Sequence, residues 1–388
     1  MIDHELMLSD TLKDIKPSGI RKFFDLLSDM GDVTALTVGQ PDFVTPWHIR
    51  EAAIQTLERG HTYYTSNSGL PELRSEIARY MNRRFGLDYS AGEVLVTVGG
   101  SEAIDVAIRS LVNPGDEVII PMPSFVCYEP IARMAGAVPV IINTRAENGF
   151  KLTADELRQA ITPRTKVLVL PYPNNPTGAI LERGELEQLA EVLRDTNIAI
   201  LSDEIYAELT YGKTHVSIAS IDGMRERTII ASGFSKAYAM TGWRLGYICA
   251  PAAWTKQMTK LHQYAIMCAP TVSQFAAIEA LKNGDEDIAE MCAEYNRRRV
   301  FIAEGLERIG LPVMIPEGAF YIYPYIGGFG LSSEEFCQRL LMEEKCAIVP
   351  GTAFGECGEG YARISYAYSV KHIEEALEKI ERFIKKLK

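Results

Sequence analysis

No stretch of this sequence approaches the ~20 consecutive apolar residues that a helix needs to span a bilayer. Its longest apolar runs are the length of a strand. Basic charge is in deficit: 40 Lys and Arg stand against 51 Asp and Glu, a formal net charge of −11. An acidic surface repels phosphate backbones and anionic lipid, so no nucleic-acid or membrane-surface role is expected. A small anionic ligand held by a few local cations remains possible. The seven cysteines are scattered without paired spacing, which suits reduced thiols rather than a disulfide framework. The six histidines show no metal-ligand spacing, and no metal is expected. No Gly-x-Gly-x-x-Gly follows a candidate strand, which counts against a dinucleotide-binding oxidoreductase. The start, Met1 to Asp10, is polar and acidic and lacks the basic-then-apolar order of a secretory leader. These absences together predict a cytoplasmic location.

With 388 residues, 47% of them hydrophobic, the chain can bury a large core and is expected to form two domains. Seven short Val- and Ile-rich runs lie at 93–98, 117–121, 138–142, 166–170, 198–202, 228–232 and 246–250. They are almost continuously apolar, as strands covered on both faces are. Helix-period stretches such as 101–111 and 184–194 separate several of them. That alternation predicts an α/β domain with a mainly parallel seven-stranded sheet. Beyond Pro270 the pattern changes to helices at 271–282, 286–309, 333–343 and 370–386, with short strands at 318–324, 347–349 and 361–366. This predicts a large domain over 46–285. A smaller α+β domain would be built from 1–45 together with 286–388.

Ligands of open α/β sheets bind beyond the carboxyl ends of the strands. Four such places carry polar groups that are costly to bury without purpose. At Val98-Gly99-Gly100-Ser101-Glu102, glycines lead into a helix N-terminus, a shape suited to phosphate; a plain strand-to-helix turn capped by Ser101 fits too. Pro171-Tyr172-Pro173-Asn174-Asn175-Pro176-Thr177-Gly178 forms a rigid loop that would hold an amide over the sheet edge. At Ser202-Asp203-Glu204-Ile205-Tyr206 an apolar strand ends in an acid; a helical continuation would put Asp203 and Tyr206 on one face. Ser232-Gly233-Phe234-Ser235-Lys236 offers a lysine that burial would make nucleophilic, and Arg244 follows it as a phosphate fork. Jointly these sites specify a ligand with a phosphate, a carbonyl open to Lys236, a basic ring nitrogen facing Asp203, and a ring oxygen near Asn175 and Tyr206. Pyridoxal phosphate meets each demand.

The motifs Asn175-Pro-Thr-Gly, Ser202-Asp-Glu-Ile-Tyr206, Ser235-Lys236, Met240-Thr-Gly-Trp-Arg244 and Arg363-Ile-Ser-Tyr366 stand in the order and spacing of a known family. From about Ser18 to its C-terminus the chain resembles the fold-type I, pyridoxal-phosphate-dependent aminotransferases of class I/II, the aspartate aminotransferase group. Ser18-Gly-Ile-Arg-Lys-Phe23, Gly39-Gln-Pro-Asp42 and Val349-Pro-Gly351 are similar to the bacterial branch that includes N-acetyl-diaminopimelate aminotransferases. The resemblance implies that Lys236 holds the cofactor as an internal aldimine and later moves protons. It implies that Asp203 faces the pyridine nitrogen, Tyr206 and Asn175 bind the ring oxygen, and Phe125 stacks on the ring. Gly100, Ser101, Glu102, Ser235 and Arg244 would form the phosphate end, with Tyr64 reaching the neighbouring subunit's cofactor in a homodimer with shared sites. Arg363 and Gly39, beside Asn175, would bind the substrate. The implied reaction is ping-pong transfer of an amino group between an L-amino acid and a 2-oxo acid. Aspartate, aromatic and N-acetyl-diaminopimelate-type donors are the candidates. Residues 19–24 could form part of a lid or plain N-terminal packing. Two positions depart from the family: Gly233 replaces a frequent Ser, and Ser101 replaces the Lys of some aspartate-using members. A cystathionine-type C–S lyase on the same fold is the alternative.

Overall fold

The computed structural model describes residue 2, residues 4–15, residue 17 and residues 31–388. The motif at 18–23 and the suggested lid at 19–24 lie outside the described residues. β1 (Thr34–Ala35) comes first. The seven expected strands follow as β2 (Val94–Thr97), β3 (Glu117–Met122), β4 (Val138–Asn143), β5 (Thr165–Leu170), β6 (Ala199–Asp203), β7 (Thr228–Gly233) and β8 (Gly246–Cys249). They form one sheet in the order β2-β8-β7-β6-β5-β3-β4. Only β8 runs against the rest, pairing antiparallel with both β7 and β2. Side chains alternate between its faces, and both faces are buried except along the edge strand β4. Val167 and Val169 of β5 enter one apolar cluster, and Leu168 and Leu170 the opposite one. This explains why these runs read as continuous apolar segments rather than as alternating ones.

Helices form where the expected patterns lie, including Gly99–Leu111, Arg183–Leu193, Thr271–Asn283 and Asp285–Arg308. The last helix, Val370–Leu387, buries Ile373, Ala376, Leu377, Ile380, Phe383 and Ile384, one stripe at three- and four-residue spacing. The Ser369 side chain caps it by accepting from His372 N, and Lys385 and Lys386 stand in its last turn, where the dipole favours cations.

The short strands of the tail differ in part from expectation. β9 is only Tyr321–Ile322, and β12 is Ala362–Ser365. The run expected at 347–349 is two strands in two sheets. β10 (Cys346–Ala347) pairs parallel with β1, and β11 (Val349–Pro350) pairs antiparallel with β12. Ile348 lies between them, so one apolar run serves two partners. β1 escapes sequence reading because two residues carry no period. A second core gathers Leu36, Tyr295, Phe320, Phe336, Ile364, Phe383 and their neighbours, separate from the clusters flanking the large sheet. Backbone hydrogen bonds from Tyr211 N to Glu317 O (3.0 Å) and from Ala319 N to Leu209 O (2.9 Å) join this part to the turn after β6.

Candidate active site

The carboxyl ends of β2, β3, β5, β6 and β7 open on one side of the sheet and border a cavity of about 350 Å³. Its walls include Gly39, Gly100, Ser101, Phe125, Asn175, Asp203, Tyr206, Ser235, Lys236, Arg244 and Arg363. Eleven sequence-selected residues, from seven separate stretches of chain, therefore face one space. The expected helical turn after Asp203 is absent: the chain leaves β6 in successive turns, closed by Ala207 N to Glu204 O (3.0 Å) and Leu209 N to Tyr206 O (2.9 Å). Asp203 and Tyr206 reach the cavity nonetheless.

Lys236 stands in the turn that follows β7. Its Nζ donates to Gly39 O at 2.6 Å and lies 5.8 Å from the ring centres of Tyr206 and Phe320. Burial, with Arg363 and Arg244 nearby, lowers its pKa to about 8. Asp203 is also buried; Tyr128 donates to its Oδ2 at 2.6 Å and Ile205 N to its Oδ1 at 3.2 Å. Burial pushes this carboxyl up, against the pull of those hydrogen bonds. Among the described residues no cation forms an ion pair with it.

Arg363 is carried on β12 and is 2% exposed. It donates through Nη1 to Asn175 Oδ1 (3.1 Å) and through Nη2 to Thr37 O (2.6 Å), while its Nε has no partner. Its guanidinium lies 4.6 Å from the ring centre of Tyr321 and 4.7 Å from that of Phe354. Burial lowers its pKa. A buried arginine with an unpaired N–H and no carboxylate is incomplete by itself, because an unpaired buried polar group is costly. An anionic ligand would complete it.

At the other end, Gly99 has φ +78°, and a Cβ there would sit 2.6 Å from Arg244 Nη2. Only glycine lets this arginine approach the N-terminus of the helix Gly99–Leu111 so closely. Arg244 itself adopts a left-handed φ of 52° and donates to Thr241 O at 3.1 Å. A Cβ on Gly233, the family departure, would come within 2.9 Å of Gly246 Cα and Leu245 O. Backbone crowding excludes a serine there without a shift, and Ser235 is the hydroxyl that lines the cavity instead.

Two selected residues are not in the cavity wall. Glu102 turns its carboxylate back onto Val98 N and onto His262 Nδ1, the latter at 2.6 Å. Of Glu102, only the backbone amide at the helix N-terminus remains for a phosphate. Tyr64 is 74% exposed on the surface of this chain. Conversely, Thr37 and Tyr128 line the cavity although sequence reasoning assigned them no role, and so does Tyr321, which the sequence offered only as one of seven aromatics for a substrate pocket. Tyr128 follows Phe125 by three positions, the one local signal that could have drawn attention to it. A buried acid without a cation, an unsatisfied anion fork, a glycine-cradled arginine and a depressed lysine are the donor set that pyridoxal phosphate and an amino acid carboxylate demand.

The chain belongs to the family "Aminotransferase class I and II", whose pattern matches residues 31–380. It is therefore a pyridoxal-phosphate-dependent aminotransferase, acting on an amino acid and a 2-oxo acid. It is 53% identical to the putative aminotransferase YugH of Bacillus subtilis (strain 168), over 98% of each chain. It is 45% identical to the probable N-acetyl-LL-diaminopimelate aminotransferase of the same organism, over 98% of this chain and 97% of that one. Among solved structures it is similar to aspartate aminotransferase from Thermus thermophilus with maleate: TM-score 0.93, 38% identity, covering 97% of this chain and 99% of that one. These relationships support amino transfer over the lyase alternative.

Proposed function

We propose that Lys236 binds the cofactor covalently, that Asp203 faces its ring nitrogen, and that Tyr206 and Asn175 face its ring oxygen. Phe125 stacks on the ring. Gly100, Ser101, Ser235, Arg244 and the backbone of Glu102 take the phosphate. Arg363, with Asn175 and Gly39, takes the substrate α-carboxylate. The observation that carries this reading is one cavity that joins a desolvated lysine, with its pKa near 8, to a buried carboxylate and an unsatisfied arginine.

Bound pyridoxal phosphate supplies an electron sink for the pair left when a substrate Cα–H bond breaks. Asp203, ionised, holds a proton at the ring nitrogen and keeps that sink open. Arg363 fixes the carboxylate, so the Cα–H presents itself to one side. Lys236 Nζ, with its pKa lowered to about 8 and so in part neutral near that pH, takes that proton and holds it for return. The amino group would stay with the enzyme after the first 2-oxo acid leaves, and the second substrate would then use the same Arg363, so the kinetics are ping-pong. The donor is of the aspartate, aromatic or N-acetyl-diaminopimelate type.

The chain divides at 46–285 and at 1–45 with 286–388, so that Lys236 and Arg363 stand on different domains and closure brings them onto one substrate. The enzyme works in the cytoplasm as a homodimer. Tyr63, Tyr64, Val44 and Tyr264 are large exposed hydrophobics, and a groove beside Arg244 is lined by Phe43, Val44, Trp243 and Pro270. Pairing of two chains covers this surface and brings Tyr64 to the partner's phosphate end.

The test is the visible spectrum of the purified protein with single amino acids added, together with assay of the products. A cofactor band that converts with one donor, releasing its 2-oxo acid, is expected. Pyruvate and ammonia from cystathionine, without exchange with any 2-oxo acid, would sink the reading. A second expectation concerns Tyr128. Its hydrogen bond to Asp203 is charge-assisted and contributes about 1.5–3 kcal/mol. Tyr128→Phe should weaken cofactor retention by roughly 10- to 150-fold, measured by dialysis and reconstitution. Unchanged retention would remove Tyr128 from the site.

A further inference from the structure

Tyr321 touches both ends of the site. It is 1% exposed, lines the cavity, and its hydroxyl lies 2.8 Å from that of Tyr206. The Arg363 guanidinium rests on its ring at 4.6 Å. Its hydroxyl also sits under Gly39, where a side chain would collide with it. One phenol thus bridges the arginine assigned to the carboxylate and the phenol assigned to the cofactor's ring oxygen.

We propose that Tyr321 is a positioning residue that reports carboxylate binding at Arg363 to the cofactor through Tyr206. The inference rests on the roles given above to Arg363 and Tyr206. When Tyr206 donates to the ring oxygen, its own oxygen is left to accept from Tyr321. Hydrogen bonds in such a chain reinforce one another in a low-dielectric interior. A bare guanidinium against the Tyr321 ring draws density from it and makes its O–H a stronger donor. Tyr206 then donates more strongly, and the ring oxygen stays ionised more readily. A substrate carboxylate at Arg363 neutralises that cation. The chain of donors weakens, and the cofactor holds its proton to higher pH. The titratable groups around the two phenols are Lys236, Asp203, Arg363, Tyr295, Tyr366 and Tyr368. Of these, Arg363 is the one in contact with the Tyr321 ring face that a substrate carboxylate would neutralise.

The test is the pH midpoint of the bound cofactor's visible absorbance in the holoenzyme, with and without 3-phenylpropionate, a carboxylate that has no amine to react. Wild type should show a midpoint that rises when the carboxylate is added. Tyr321→Phe keeps the ring and its packing. Its resting midpoint should be higher than that of wild type by about 0.4–1 pH unit, the net worth of one hydrogen bond on that scale. Its carboxylate-induced rise should be at most half that of wild type. The double variant Tyr206→Phe/Tyr321→Phe should match Tyr206→Phe alone, because Tyr321 acts through Tyr206. Wild-type behaviour of Tyr321→Phe, additive effects in the double variant, or no carboxylate shift in wild type would each overturn the proposal. So would failure of Tyr321→Phe to take up cofactor, since the hydroxyl would then hold the site together rather than tune it. Absence of any cofactor band in wild type would instead overturn the assignment of the site itself.

Discussion

Lys236→Ala is expected to lower amino transfer by more than about 10⁴-fold, the upper end of what one positioned acid–base group supplies. The lysine is asked to do two things, to hold the cofactor and to move the Cα proton, and alanine does neither. The fold should survive. Lys236 is a desolvated amine whose one hydrogen bond goes to Gly39 O, and among the described residues it forms no ion pair, so its removal breaks no salt bridge. Circular dichroism and thermal melting check the fold, and single-turnover absorbance checks the chemistry. Turnover within tenfold of wild type would end the role given to Lys236. The wild-type apoprotein offers a matching pH test. Only the neutral amine attacks a carbonyl, and its pKa is lowered to about 8. Covalent capture of added pyridoxal phosphate should therefore slow as the pH falls below about 8 and level off above it. A midpoint near that of an ordinary lysine would show that burial does not depress this group.

Arg363→Ala should reduce kcat/KM for both the amino acid and the 2-oxo acid by about 30- to several thousand-fold. That range corresponds to the roughly 2–5 kcal/mol lost when one partner of a buried charge pair is truncated. Both substrates should suffer alike, because each presents a carboxylate to the same fork. Cofactor uptake should change much less, since Arg244 holds the other anion. Arg363→Lys should recover only part of the loss: an ammonium keeps the charge but cannot make two parallel N–H contacts while also serving Asn175 and Thr37. Initial-rate kinetics with each substrate varied, alongside cofactor titration, separate these outcomes. A loss confined to one substrate would place the carboxylate elsewhere.

The large sheet was legible because all its strands but the edge strand β4 are buried on both faces, and that burial fills most of their positions with apolar residues, Val, Ile and Leu above all. The long helices were legible from their stripes, with boundaries within two residues at Asp285–Arg308 and Val370–Leu387. The two-residue strand β1 was not, nor was the division of the run at 347–349 into β10 and β11 on two sheets. They exist because distant chain passes beside them, and nothing local records that. Glu102 shows what the sequence leaves open about a side chain. Its place in a phosphate-shaped motif suggested a ligand contact, yet its side chain is occupied by Val98 N and His262.

The sequence by itself determined the sheet, the helices and the chemistry available at each strand end, because hydrophobic period, turn residues and rare buried polar types are local properties. Only the tertiary structure decided which of those groups meet. Asn175 and Arg363 stand 188 positions apart and share a hydrogen bond. Tyr206 and Tyr321, 115 apart, share another, and so do Tyr128 and Asp203, 75 apart. Tyrosine is common in apolar cores, so its residue type carries no mark of such a role. What distinguishes Tyr128 and Tyr321 is the direction of one hydroxyl, set for Tyr128 by the core on one face of the large sheet and for Tyr321 by the second core.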